Sequence, residues 1–207
     1  MNRRIQKILE HCKGEILDIG CLQHSIENVS SEDWLHGILC KNFENVVGID
    51  IAEDVLKLRE FGYNVYQANA ENFDLGRKFD TIVAGELIEH LSNPGNFLEC
   101  VKKHLKKEGV LILTTPNLFW IEYWVRKLFG KLKINEETVA WYNFTLLKQL
   151  VSRHGFVIQE YEFIQEKYKP RTIGGFFWHA LLMPVLRRIL PKEMLGEKIF
   201  VVLKVKD

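Results

Sequence analysis

Apolar positions along the chain change period repeatedly, and the changes predict an alternation of helices and strands. Ile5, Ile8 and Leu9 share one side of a helix over residues 2–12, which Gly14 ends. Residues 15–20 (EILDIG) predict a buried strand that closes on an acid and a glycine. Ser30 or Ser31 caps the next helix, whose apolar stripe is Trp34, Leu35, Ile38 and Leu39. Residues 46–50 are a second strand, again ending in an acid. Residues 52–61 are helical, with Val55 and Leu58 inward. Residues 63–67 and 79–84 are the third and fourth strands. Pro94 opens a helix over 94–105, and Pro116 stops a fifth strand over 109–115.

Strands that alternate with helices in this way build a mostly parallel sheet covered on both faces. Ligands of such sheets lie beyond the carboxyl ends of the strands. Asp18, Gly20, Asp50, Asn69, Gly85, Glu86 and Pro116 all fall at or just past those ends. The second half is less regular: helices over 118–128 and 144–154, a strand over 155–164, and a final strand over 198–206. Between those two strands lies an insertion at about 169–192, rich in Phe, Trp and Leu. We read residues 1–207 as one domain, with a ligand-binding half over 14–116 and an acceptor-side half over 117–207.

Composition narrows this picture. Apolar residues are 47% of the 207, enough for a substantial core. With 28 basic against 27 acidic residues, there is no chain-wide basis for nucleic-acid binding. Cys12, Cys21, Cys40 and Cys100 have no zinc spacing and are expected as reduced thiols. Residues 1–13 are charged and do not read as a signal segment, so a cytoplasmic location is expected. Charge is uneven near the end: eight basic residues follow Tyr168, opposed only by Glu193, Glu197 and Asp207. Phe176, Phe177, Trp178, Leu181, Leu182, Val185 and Leu186 lie beside Arg187 and Arg188. That stretch is too short to span a bilayer. It reads as a lid, a dimer surface or a helix resting on a membrane surface.

The first loop, Asp18-Ile-Gly20-Cys21-Leu22, lets backbone approach a ligand at Gly20. Leu22 stands where a dinucleotide fingerprint has its second glycine, which argues against a pyrophosphate there. Asp50 ends the next strand, where an acid can accept both ribose hydroxyls of an adenosine or cap the turn that follows.

Five stretches, ILDIGC (16–21), VVGIDI (46–51), QANAENF (67–73), FDTIVAGELIEHL (79–91) and GVLILTTPN (109–117), together resemble the class I methyltransferases. The resemblance is to the small-molecule branch that includes ubiquinone-biosynthesis O-methyltransferases. WYNFTLLKQLVSRHGFVI (141–158) and GEKIFVVLKVK (196–206) resemble that family's closing helix and strands. The resemblance implies a Rossmann-like α/β fold with a seven-stranded sheet of order 3-2-1-4-5-7-6, strand 7 antiparallel, and S-adenosyl-L-methionine as cofactor. It places Asp18, Gly20 and Cys21 beneath the methionine and ribose. Asp50 falls at the ribose, Asn69 and Ala70 at the adenine, and Gly85 and Glu86 at the methionine end, with Ile51 and Glu71 also assigned to the cofactor site. Two departures stand out: Leu22 and His24 replace loop glycines, and Asn69 replaces a common aspartate.

Methyl transfer from a sulfonium needs an aligned, poorly solvated nucleophile, and a hydroxyl nucleophile benefits from a base. His90 is the candidate base, with packing or capping of its turn as the alternative. Glu86, Glu89 and His90 are also a possible metal cluster, but no metal is assigned. The remaining histidines, His36 among them, read as surface or packing residues, apart from His24 in the first loop. Phe119, Trp120, Tyr123, Trp124, Trp141 and Tyr142 predict an acceptor that is partly apolar or aromatic, or else a packed lid. The expected function is O-methylation of a small molecule or a lipid, quinone or glycan intermediate, by a monomer or homodimer. A metal-dependent RNA-end methyltransferase and a non-catalytic binding subunit are the alternatives.

Overall fold

The central strands are buried on both sides, and the alternating direction of their side chains divides the core between two faces of one sheet. The computed structural model describes residues 2–23, 26–166 and 178–206. Its strands are β1 (Ile16–Ile19), β2 (Val46–Asp50), β3 (Val65–Gln67), β4 (Phe79–Gly85), β5 (Leu105–Pro116), β6 (Phe156–Ile164) and β7 (Lys198–Val205). They pair in the order β3-β2-β1-β4-β5-β7-β6. Strands β1 to β5 are parallel, and β7 runs antiparallel to both β5 and β6. This is the order and strand reversal expected from the sequence.

Leu17, Ile19, Val47, Ile49, Ile82 and Leu111 project to one face, where they meet Phe97, Leu98 and Val101 of α3 (Pro94–His104) and Leu147 and Val151 of α5 (Phe144–Arg153). Ile16, Val46, Val83, Val110 and Ile112 project to the other. There they bury Ile5 and Ile8 of α1 (Arg3–His11) and Leu35 and Leu39 of α2 (Leu35–Asn42). Asn2 caps α1 by accepting from the Ile5 N–H at 2.9 Å. His11 and Lys7 tie α1 to Glu160 of β6 at 3.1 and 3.4 Å.

Several boundaries differ from the expectation. Neither Ser30 nor Ser31 caps α2: Ser30 ends a 3-10 turn, and Ser31 Oγ accepts from the Asp33 N–H. The helix begins instead after Trp34, because the Trp34 indole N–H donates to the Cys21 carbonyl at 2.8 Å and fixes the approach to α2. Residues Glu53–Phe61 are 3-10 rather than α, yet Val55 and Leu58 are buried as expected. α4 (Ile121–Leu128) starts three residues late, after a turn at Asn117.

β6 ends and β7 begins at the end of the sheet where Pro116 closes β5, with Ile164 and Pro116 both opposite Lys198. The segment between them therefore leaves and rejoins the sheet at the strand carboxyl ends. Its described part is a π turn at Trp178–Leu182, a helix at Met183–Ile189 and a short helix at Lys192–Leu195. Lys169, Arg171, Gly174, Gly175, Phe176 and Phe177 lie outside the described residues, as does His24. Among the described residues no helix is long and apolar enough to cross a membrane. The four cysteines are free thiols.

Candidate functional site

A cavity of about 690 Å³ opens at the carboxyl ends of β1, β2 and β4. Every site residue expected from the sequence lines it: Asp18, Gly20, Cys21, Asp50, Ile51, Asn69, Ala70, Glu71, Gly85, Glu86 and His90. Their convergence follows from the parallel sheet, which delivers three strand ends to one edge of the fold.

Gly20 turns the chain at φ 83°, a region open to glycine at little cost, and its N–H donates to Ile49 O at 2.8 Å. Leu22 does not obstruct the cavity. It is buried with Val55 and Leu58, and its N–H donates to Asp50 Oδ2 at 2.9 Å. Asp50 Oδ1 accepts from the Ala52 N–H at 3.1 Å. One carboxylate thus joins the first loop to the second while still lining the cavity, and each oxygen keeps a further lone pair. Capping and ligand contact coexist at Asp50.

Asn69 spends its carbonyl oxygen on the Glu71 N–H at 2.9 Å, and Glu71 in turn accepts from the Asn93 N–H at 3.0 Å. These two bonds fix the loop after β3 against the start of α3. Glu86 takes a positive φ of 57°, a conformation that costs about 1–3 kcal/mol for a non-glycine residue. Its N–H donates to Thr114 O at 2.9 Å, and Glu86 Oε2 meets Lys198 Nζ at 2.5 Å. The other oxygen, Oε1, is buried without a hydrogen-bond partner among the described residues. His90 ends a 3-10 turn, Ile88–His90, at the cavity wall.

Glu89 is elsewhere. It is buried, does not line the cavity, and accepts from the Thr115 hydroxyl at 3.0 Å. Burial and the neighbouring Glu86 push its carboxyl up to about 8. Among the described residues no three His, Cys, Asp or Glu side chains are grouped to hold a metal ion. Glu86, Glu89 and His90 therefore do not form the cluster their spacing suggested.

Arg4 and Lys198 at the cavity wall, and His36 behind it, have roles that sequence reading missed. Arg4 is buried at the cavity wall, with Nε unpartnered among the described residues. Gly85 must lack a side chain to seat it: a Cβ there would lie 2.8 Å from Arg4 Nη1. Lys198, counted only as one of the late basic residues, is the partner of Glu86. His36, expected at the surface or in packing, is fully buried with its Nδ1 3.1 Å from Asp18 Oδ2. Burial opposes charge on this ring, but the hydrogen bonds to Asp18 and Cys40 outweigh it and push its pKa up to about 9.

The aromatic residues after β5 make a packed layer. Trp120 meets Tyr123 edge-on at 4.8 Å, and Tyr123 stacks on Trp141 at 4.9 Å. None of the six aromatic residues expected at the acceptor pocket lines the cavity.

Residues 1–161 match the family model described as a methyltransferase domain. The ubiquinone biosynthesis O-methyltransferase of Bartonella quintana (strain Toulouse) is 31% identical over 121 residues, covering 51% of this chain and 42% of that protein. The enzyme of the same name from Rickettsia akari (strain Hartford) is 29% identical over 126 residues, covering 55% and 46%. The chain thus matches less than half the length of these curated relatives. The crystal structure of a SAM-dependent methyltransferase from Archaeoglobus fulgidus has the same fold, with TM-score 0.66 at 20% identity over 97% of this chain and 91% of that one. With a family match across most of its length and the sheet order described above, the chain belongs to the methyltransferase-domain family.

Proposed function

We propose that the cavity binds S-adenosyl-L-methionine and that the chain transfers its methyl group to a hydroxyl of a small molecule. The observation that carries this reading is the convergence of Asp18, Asp50, Glu86 and the buried Arg4 on one cavity. The cofactor's amino-acid end is a zwitterion. A buried guanidinium with an open N–H suits its carboxylate, and the open oxygen of Glu86 suits its ammonium. Asp50 accepts from the ribose hydroxyls with its remaining lone pairs. Gly20 and Cys21 lie along the ribose and methionine, Asn69, Ala70, Glu71 and Ile51 beside the adenine, and Gly85 leaves room for Arg4.

When bound, the cofactor supplies an electrophilic methyl group on a sulfonium. The chain's part is to hold the acceptor oxygen in line and to take its proton. His90 is the base in this reading. The acceptor is partly apolar or aromatic, no nucleic acid docks, and the active unit is a monomer or homodimer. Residues 14–116 form the cofactor half, and 117–207 the acceptor half. A cytoplasmic location belongs to the same reading, supported by the four free thiols.

Titration calorimetry with S-adenosylhomocysteine tests the site. Asp50→Ala is expected to lower affinity at least tenfold, since charge-assisted hydrogen bonds contribute about 1.5–3 kcal/mol. His90→Ala is expected to leave affinity within about threefold and to lower turnover of an accepted alcohol by about 100-fold or more. No binding by the wild-type protein would sink the cofactor assignment. Binding without turnover of any hydroxyl acceptor would favour a binding subunit.

A further inference from the structure

Membrane contact at residues 176–186 is one of three readings of that stretch, beside a lid and a dimer surface, and a different segment also exposes apolar side chains among lysines. We propose that residues 124–134, at the tip of α4, are a contact surface for an anionic lipid bilayer. This stretch carries Arg126, Lys127, Lys131 and Lys133 and no acidic residue. Interleaved with them are Trp124, Leu128, Phe129 and Ile134, which are 50%, 83%, 72% and 53% exposed. Trp124 and Leu128 are four residues apart on α4 and share one side of the helix.

This exposure belongs to a well-formed turn. Gly130, at φ 64°, closes α4: its N–H donates to Lys127 O at 3.1 Å, and the Lys131 N–H reaches back to Arg126 O at 2.8 Å. That pair of bonds is a Schellman motif, which fixes Leu128 and Phe129 at the apex. Arg126 is engaged within the fold, 3.2 Å from Glu122 and over the Trp120 ring at 5.5 Å. Lys127, Lys131 and Lys133 remain exposed around the apolar tip.

Charge complementarity selects the occupant. An anionic bilayer accepts apolar side chains at its acyl boundary and draws lysines to its headgroups, and tryptophan favours that boundary. The location fits delivery of an apolar acceptor. The segment leaves the sheet at Asn117, which bridges to Tyr142, and on its return Glu137 lines the cavity. The proposal is independent of the cofactor reading, because vesicles report on it without cofactor or acceptor.

The test is flotation of the full chain with phosphatidylcholine vesicles, with and without about one-third phosphatidylglycerol, at low and physiological salt. Binding is expected to the anionic vesicles, weakening as salt rises. Lys127→Gln/Lys131→Gln/Lys133→Gln is expected to lower the partition coefficient by roughly 100-fold. Trp124→Ala/Leu128→Ala/Phe129→Ala is expected to lower it at least about tenfold. Circular dichroism and thermal melting establish that both variants are folded, as exposed positions allow. The proposal is overturned by absence of wild-type binding, or by folded variants that bind as the wild type does. It is also overturned if the apolar triple variant turns a dimer into a monomer without changing flotation, which would make the tip an interface between copies.

Discussion

The imidazole of His36 lies 3.1 Å from the carboxylate of Asp18 in a fully buried pair beside the cavity. Asp18 lies in β1, two residues before Gly20, whereas His36 sits on α2, so the pair ties the end of that strand to a helix on one face of the sheet. Cys40 lies 3.6 Å from the other ring nitrogen, and the rings of Trp34 and Tyr63 pack against the imidazole at 5.7 and 5.8 Å. Gly48 stands behind it, where a Cβ would come within 2.6 Å of the ring. A charge so enclosed persists only because its partner is equally fixed.

This pair makes stability fall as pH rises. The folded pKa of His36, about 9, lies above the ordinary 6.5, so its stabilisation is fully present below about 6.5 and is lost as pH rises through about 9. Denaturant melts at pH 6 and pH 9.5 are expected to show a loss on the order of 2 kcal/mol in the wild type. His36→Gln is expected to start less stable and to have a flatter profile across that window. Parallel profiles for the two proteins would refute the assignment.

Glu89 lowers stability with rising pH as well, but by burial of a carboxyl and over a lower window. Its carboxyl is raised to about 8 by burial first and Glu86 second. The unfolded chain ionises this group above about 4.5, while the folded chain holds the proton until about 8. Its contribution to stability therefore declines between those values. Glu89→Gln can still accept from the Thr115 hydroxyl and removes the penalty. The melting temperature of the variant is expected to match the wild type near pH 4.5 and to exceed it by several degrees at pH 8.5. A variant that melts lower at pH 8.5 would show that ionised Glu89 is stabilising.

The parts of the fold legible in the sequence share a cause. β1, β2 and β4 run out near Asp18 and Gly20, Asp50, and Gly85 and Glu86, where glycine permits a turn and a carboxylate can accept from loop N–H groups, and the sheet brings these ends together. The parts that stayed hidden depend on contacts across long separations. Arg4 belongs to a helix whose periodicity places Ile5 and Ile8 inward, and nothing in that pattern shows its guanidinium reaching Gly85. His36 falls inside an apolar stripe, and its partner is eighteen residues earlier on another element. Leu22 looked like an obstruction because its residue type is bulky, but the bond from its own N–H to Asp50 turns the backbone so that the side chain joins the core. Lys198 was visible as a charge, whereas its pairing with Glu86 depends on the register of β7 against β5.

Gly85 and Arg4 offer the most direct test of how the cavity is built. Gly85 has an ordinary backbone conformation, so its need for glycine comes from space alone: an added Cβ would sit 2.8 Å from Arg4 Nη1 and 3.1 Å from Leu35 Cδ2. Leu35 belongs to α2 and packs into the core beside the cavity, whereas the Arg4 guanidinium is the closer neighbour and the end of a long flexible side chain, so it is the group that yields. Gly85→Ala is therefore expected to displace Arg4 and to lower S-adenosylhomocysteine affinity about as much as Arg4→Ala does, roughly tenfold or more for a lost charge-assisted bond. If both act through the guanidinium, their effects do not add. The double variant is expected to bind within about twofold of Arg4→Ala alone, whereas independent sites would multiply the losses. Calorimetry on the three variants and the wild type, with thermal melts to confirm folding, closes the cycle. Additive losses would separate Gly85 from Arg4, and unchanged affinity in Arg4→Ala would remove the arginine from the binding site.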